Sequence, residues 1–391
     1  MKIERIETIL MSYRYSQSEA WKWSGGATLQ RNCVLVRITT DTGLTGLGEV
    51  GESAYLPRSI EKIVQERFEP MLVGEDPMDI EKIWQKLYIQ SCHYARKGVV
   101  STIMSGVDIA LYDIVGKYLK VPVSTLLGGQ YRKKIRAYAS GGMYKDEEDL
   151  FSEAASYVDS GYFGFKMRIG AQDPMPEVEM IRRLHARIGN RIQLLVDAGQ
   201  CYTNFPWSYT TALKVCKALE DCNLFWMEEP LHPDDVEGFV RLSRATTVPI
   251  VAGENEFTRY GFAPLISRRG VSMVQPDVTR SGGISECKKI ASYASVHHMD
   301  CAPHIFGSGV GFMANLHFIV STPNAIVVEH DQTLNPLRES PLLCSIEYKD
   351  GYIHMPEGLV GLGVELSEDV IRAYPYIDED AVRKPDFIPL W

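Results

Sequence analysis

Residues 224–231 read LFWMEEPL, an apolar run that stops on two adjacent carboxylates, Glu228 and Glu229. A buried strand seldom ends on two charges unless something there requires negative charge. The same texture recurs from about Lys134 onward. Short β-like runs (IRAYASGG, GFKMRIG, IQLLVDAG, LFWMEEP, PIVAGENE, VSMVQPDV, DCAPHIFG and AIVVEHD) alternate with helical stretches such as EVEMIRRLHARIG and ISECKKIASYASVHH. Strands alternating with helices in this way predict a parallel β/α barrel. The competing architecture is an open doubly wound sheet. The first βα turn carries no GxGxxG and nearly every strand ends in polar residues, which favours the barrel. No clear eighth helix follows Glu329, so the expected class is α/β, a (β/α)7β barrel.

Before the barrel, NCVLVRITTDTGLTGLGEV alternates apolar and polar residues across Asp-Thr-Gly, a hairpin signal. STIMSGVDIALYDIVGKYL has helical spacing and ends before Val121 and Pro122. The tail SIEYKDGYIHMPEGLVGLGV returns to strand and turn. The expected division is an α+β capping domain over 1–130, the barrel over 131–340, and a segment over 341–391 that returns to the cap.

The chain has 391 residues and a formal net charge of −9 with no basic tract, which argues against a nucleic-acid partner. Its eight cysteines are scattered without a CxxC pair and read as reduced thiols. The N-terminus, MKIERIETILMSYRYS, carries charges inside its first apolar turn, unlike a signal peptide. No run reads as the roughly 20 apolar residues of a membrane span. A cytoplasmic homo-oligomer acting on a small molecule is expected.

The strand ends carry the chemistry. Lys166 and Arg168, Asp197, Glu228, Glu254, Asp277, His304 and Glu329 lie at the ends of successive predicted strands, spaced about one βα unit apart. In a barrel all strand C-termini open onto one face, so these side chains converge. Alternation separates Glu228 from Glu229, and Glu228 is taken as the inward one. Lys166 and Arg168 share a parity and can project into the same mouth. Asp197, Glu228 and Glu254 sit on three neighbouring strands with no Cys or His beside them, a donor set that suits a hard cation, Mg²⁺. Each alone reads as a salt-bridged strand end; three in register read as a metal site. Asp277 and His304 fall on adjacent strands, where the carboxylate can orient the imidazole as a base.

The motifs FKMRIG, VDAGQ, WMEEP, GENEF, QPDVTRSGG, APHIFGSG and VVEHD resemble the enolase superfamily, in its mandelate racemase/muconate lactonizing enzyme-like branch. MSGVDIALYDIVGK and TDTGLTGLGE resemble its capping domain, so the likeness covers nearly the whole chain. The resemblance implies Mg²⁺ bound to a substrate carboxylate, α-proton abstraction and a stabilised ene-diolate. By position it implies Asp197, Glu228 and Glu254 as metal ligands, Asp277 and His304 as the dyad, and Glu329 as the eighth-strand carboxylate. Two positions depart from the pattern. Arg168 stands where a base Lys is common, and guanidinium stays protonated. Gly199 stands where many relatives have Asn. With His304 as the one convincing base, dehydration of a sugar acid fits better than racemisation. A lactone cycloisomerase or a racemase/epimerase is the alternative, and a non-catalytic acid-sugar-binding barrel the alternative of another class.

FGSGVG (306–311) lacks the Lys of a P-loop and reads as a turn facing substrate. WKWSGG (21–26) and GESAYLP (51–57) are cap loops. By resemblance such loops close over the barrel, although Trp21, Trp23 and Tyr55 read equally well as cap core.

Overall fold

The N-terminal strands Ile3–Arg14, Gln30–Thr40 and Thr45–Val50 form an antiparallel sheet in that order. The hairpin across Asp41–Gly43 is the one expected from the alternation. Helix Val99–Leu119 lies against this sheet, so close at Gly48 that a Cβ there would collide with the Gly106 carbonyl. The helix ends as the chain turns left-handed at Lys120 (φ 58) ahead of Val121-Pro122. In this computed structural model, residues 1–51, 55–341 and 345–384 are described. Part of GESAYLP (52–54) and Cys344 lie outside them; the other seven cysteines form no disulfide among the described residues.

Helix Val99–Leu119 corrects the reading of hydropathy. It has the length and mean hydropathy (1.5) to cross a membrane, and 89% of its most apolar 18-residue stretch is buried inside this fold. Asp108 and Asp113 interrupt its apolar run, and both are buried partners of backbone elsewhere. Asp108 accepts from Ser285 N at 3.0 Å, and Asp113 from Leu47 N at 3.0 Å and Leu362 N at 2.9 Å. A core helix explains both the hydropathy and its polar interruptions.

Eight parallel strands follow: Lys134–Ser140, Gly164–Arg168, Gln193–Asp197, Trp226–Glu228, Ile250–Ala252, Met273–Val274, Asp300–Cys301 and Val328–Asp331. The eighth pairs with the first, and Ile326 N donates to Cys301 O at 3.0 Å across the seam between seventh and eighth. The sheet is closed. Between the eighth strand and Glu347, the short helix Pro336–Glu339 is the only helix among the described residues. Tyr138, Leu195, Trp226, Val251, Met273, Ala302 and Val327 fill the barrel interior. Two residues further along the same strands come Ser140, Asp197, Glu228, Gly253, Gln275, His304 and Glu329. Period-two alternation therefore places a polar layer directly above an apolar plug.

The tail first adds the hairpin Glu347–Lys349/Tyr352–His354 antiparallel to the first barrel strand. It then crosses to the N-terminal sheet, where Met11 bridges Pro375. Finally Val382–Arg383 pairs with Gly26–Thr28, the return strand of a hairpin begun at Trp21–Trp23.

Candidate active site

Asp197, Glu228 and Glu254 converge, each offering a carboxylate oxygen within 4.8 Å of the others, and all are buried. Asp197 and Glu228 reach the site by strand alternation alone. Glu254 does so because Gly253, at φ +138, turns the chain just past the fifth strand. Glu229, the other half of the pair that ended LFWMEEPL, turns left-handed (φ 41) and leaves the triad to Glu228. Its buried carboxylate accepts from Asn255 Nδ2 at 2.7 Å and thereby holds the residue next to Glu254. Both carboxylates thus have work at the strand end, one in the triad and one bracing it.

Lys166 lies beneath the triad, its Nζ 2.8 Å from Glu329 Oε1, 3.2 Å from Glu228 Oε1 and 3.9 Å from Asp197 Oδ2. Burial works against its charge, but Glu228, Glu329 and Asp197 outweigh burial and hold the ammonium well above its ordinary pKa. Arg168 Nη1 donates to the Gly141 carbonyl at 2.6 Å, and its Nε stands 3.8 Å from Asp197. The guanidinium is likewise kept charged against burial, with Asp197 its main support.

Across the mouth, His304 Nδ1 is 2.8 Å from Asp277 Oδ2. Asp277 Oδ1 accepts from Thr279 N at 2.8 Å, Thr279 Oγ1 at 2.9 Å and Asn315 Nδ2 at 3.2 Å. A carboxylate so fully engaged is fixed in place, and it assigns the proton on His304 to Nδ1. Nε2 is left facing the triad, 3.5 Å from Glu254 Oε2. Burial lowers the His304 pKa, yet Glu254 and then Asp277 raise it further, to about 9. The triad carboxylates divide. Burial pushes Asp197 and Glu228 up, only partly offset by Lys166. Glu254 is held at about 2 despite burial, because His304 and Lys166 face it. Three buried carboxylates at this spacing resist sharing negative charge, and an oxygen-only donor set of this kind fits a hard divalent cation.

Several functional neighbours were not visible in the sequence. Tyr202 Oη donates to Glu254 Oε1 at 2.7 Å, and Trp226 Nε1 donates to Glu228 Oε2 at 3.0 Å. Glu49, from the N-terminal sheet, is buried against the seventh loop. It accepts from Ser308 N (2.9 and 3.0 Å), Ser308 Oγ (2.6 Å) and Gly311 N (2.8 Å). FGSGVG is therefore an anion cradle, filled by the chain's own carboxylate at the start of helix Gly309–Val320. Gly199 is explained by the cap. Its φ is +48, and a Cβ there would lie 3.0 Å from Ser24 Oγ, at the tip of the 21–28 hairpin. Trp23 packs edge-on against Tyr202 (4.7 Å) and Trp21 against Phe306 (6.0 Å). Trp21, Trp23 and Tyr55 line a cavity of about 160 Å³ that also borders Arg168, Asp197, Glu254 and His304.

Fold and site together define a capped β/α barrel with an acidic triad and a His-Asp pair at its strand C-termini. Residues 149–370 match the family described as enolase C-terminal domain-like, and 5–128 match the mandelate racemase/muconate lactonizing enzyme N-terminal domain. The chain belongs to the enolase superfamily, in its mandelate racemase/muconate lactonizing enzyme branch. It is 34% identical to an arabinonate dehydratase of Saccharolobus solfataricus, over 95% of this chain and 99% of the relative. It is 32% identical to a D-galactarolactone cycloisomerase of Agrobacterium fabrum, over 96% and 99% respectively. The crystal structure of a 3,6-anhydro-D-galactonate cycloisomerase from Zobellia galactanivorans superposes with a TM-score of 0.85 at 33% identity, covering 96% of this chain and 99% of that one.

Proposed function

We propose that this protein dehydrates a sugar acid by removing the proton α to its carboxylate, with His304 as the base. The observation that carries the reading is the placement of the Asp277-oriented His304 Nε2 beside the acidic triad, in one closed mouth. Asp197, Glu228 and Glu254 would hold Mg²⁺, which when bound supplies positive charge for the substrate carboxylate. With Glu254 engaged as a metal ligand, its carboxylate would support the His304 imidazolium less, which would favour the basic form of the ring. His304 then accepts the α-proton, and the electron pair left behind spreads into the carboxylate as an ene-diolate. Expulsion of the β-hydroxyl as water, with a proton from an acid in the mouth, completes the elimination. Lys166 and Arg168 are fixed cations on the other side of the mouth, where preorganised charge lowers the barrier to the dianionic intermediate. Glu329 holds Lys166 and accepts from Ile305 N at 2.8 Å, next to His304.

The name of one relative supports a second reading, lactone cycloisomerisation, which shares the first step. The mass balance separates them, since dehydration releases water and lowers the mass of the acid, whereas cycloisomerisation conserves it. A non-catalytic binder is set against both readings by exchange at the α-carbon. His304→Asn should abolish turnover and deuterium exchange of the α-proton from D2O, while Arg168→Lys retains part of either. Exchange at the wild-type rate in His304→Asn would place the base on the second strand instead.

A further inference from the structure

Of the three triad carboxylates, Glu254 is the one that strand alternation does not aim. It follows Gly253 (φ +138), past the end of the fifth strand, and the terminal torsion of a glutamate side chain is soft. Its carboxylate has to be fixed by neighbours. Two side chains hold Oε1: Tyr202 Oη donates at 2.7 Å and Asn255 Nδ2 at 3.3 Å. The Asn255 amide is committed more closely to Glu229, at 2.7 Å, so the hydroxyl makes the shorter bond to Glu254. Tyr202 Oη also stands 3.0 Å from Asn255 Oδ1, but that neutral oxygen is the weaker acceptor and already takes Arg280 Nη2 at 3.0 Å. With Oε1 held in this way, Oε2 is left on the side of His304 Nε2, 3.5 Å away.

Tyr202 is placed from both sides. Its backbone N donates to Gly199 O at 3.0 Å, in the turn that leaves Asp197, and Gln200 N of that turn donates to Glu229 O at 3.1 Å. The turn therefore carries the phenol from the third strand across to a carboxylate beyond the fifth. The other neighbour of the ring belongs to the cap. Trp23, in the 21–28 hairpin, meets it edge-on with ring centroids 4.7 Å apart. Ser24 of the same hairpin lies over Gly199, where a Cβ would come within 3.0 Å of its Oγ. One ring thus separates the cap from a triad carboxylate: the indole bears on its face or edge, and its hydroxyl grips Glu254.

Resting on the reading of Asp197, Glu228 and Glu254 as a Mg²⁺ site, we infer that Tyr202 is a positioning residue that makes cation affinity depend on the cap. A seated hairpin holds the Tyr202 ring, the ring holds Glu254, and a bound cation in turn holds the hairpin down. Such linkage is reciprocal, so one factor describes both directions. The test is titration of the metal-free protein with Mg²⁺, without substrate, by isothermal titration calorimetry. Tyr202→Phe keeps the ring against Trp23 and removes the hydroxyl. It should weaken Mg²⁺ binding about tenfold, the lower end for losing a hydrogen bond to a metal ligand. Trp23→Leu should weaken binding about fivefold in the wild type and change it no further in the Tyr202→Phe background. Amide exchange of the peptide spanning residues 21–28 should slow about fivefold when Mg²⁺ is added to the wild type, and should ignore Mg²⁺ in Tyr202→Phe. Wild-type Mg²⁺ affinity in Tyr202→Phe overturns the inference and leaves the metal site standing. Equal effects of Trp23→Leu in both backgrounds, or wild-type hairpin exchange that ignores Mg²⁺, overturn the link to the cap. Absence of Mg²⁺ binding by the wild type overturns the metal site, and the inference with it.

Discussion

Glu49→Gln tests whether the cap carboxylate in the seventh-loop cradle is structural cement for the site. Glu49 is 4% exposed and accepts four hydrogen bonds from two residues. A glutamine in the same pose aims its amide NH2 either at the Ser308 N–H, which keeps only its 3.0 Å bond to the other oxygen, or at the Gly311 N–H, which then has no acceptor. Loss of an acceptor alone costs about 1–3 kcal/mol. Loss of an anion at a helix N-terminus adds roughly 0.3–2 kcal/mol. Burial pushes the Glu49 carboxyl above its ordinary pKa even against its bonds to Ser308 and Gly311, so neutralising it recovers some desolvation. The lower part of the range, about 2 kcal/mol, is therefore expected, a factor of roughly 30 in local opening. Amide hydrogen exchange followed by mass spectrometry should show the peptide around Ser308–Gly311 exchanging about thirtyfold faster in Glu49→Gln, with distant barrel peptides unchanged. Glu49→Ala, which leaves every one of these donors unmatched, should cost more, about 4 kcal/mol. Wild-type protection of this peptide in Glu49→Gln would refute the reasoning.

Two further outcomes are expected. Exhaustive chelation should abolish activity and lower the thermal midpoint, with Mg²⁺ restoring both, because the triad carboxylates repel one another without a cation; full activity after chelation would sink the metal assignment. Asp108 is buried and its carboxyl is pushed up to about 7, by burial first, with its bonds to Ser285 opposing. Its folded pKa lies above the unfolded one, so its contribution is complete below pH 3.8 and is lost as pH rises through about 7. Asp108→Asn should therefore gain stability relative to wild type as pH rises through that window, by up to about 1.4 kcal/mol per pH unit. Urea midpoints at several pH values would measure it, and a difference independent of pH would count against a buried, titrating Asp108.

The barrel strands and their inward residues were legible because one physical rule produced both. Period-two alternation, ending on polar residues, marks where a strand leaves the apolar plug and enters the mouth. Asp197, Glu228, His304 and Glu329 obey it. Glu254 does not, and only its likeness to a family motif and its spacing pointed to it; the turn at Gly253 that re-aims it carries no periodic signal. Glu49 was read only as the end of a hairpin strand, since its partners lie more than 250 residues away at Ser308 and Gly311. The same holds for Gly199, whose departure from the family pattern makes sense only beside Ser24 of the cap. Trp21 and Trp23 were ambiguous for a related reason: an aromatic pair in a loop has no period to say which surface it faces.

The hairpin that closes over the mouth is three-stranded, and its third strand is Val382–Arg383. Ala381 O also accepts from Leu29 N and Gln30 N, at 2.8 and 3.1 Å. During synthesis the barrel strands and the seven residues of the triad, dyad and strand-two cations all emerge first. The roof over them stays unfinished until residues 381–383 have cleared the ribosome. The cap wall of the cavity, with Trp21, Trp23 and Thr28, is then completed only after the triad and dyad, and a peptide fused shortly after residue 384 would hang beside it.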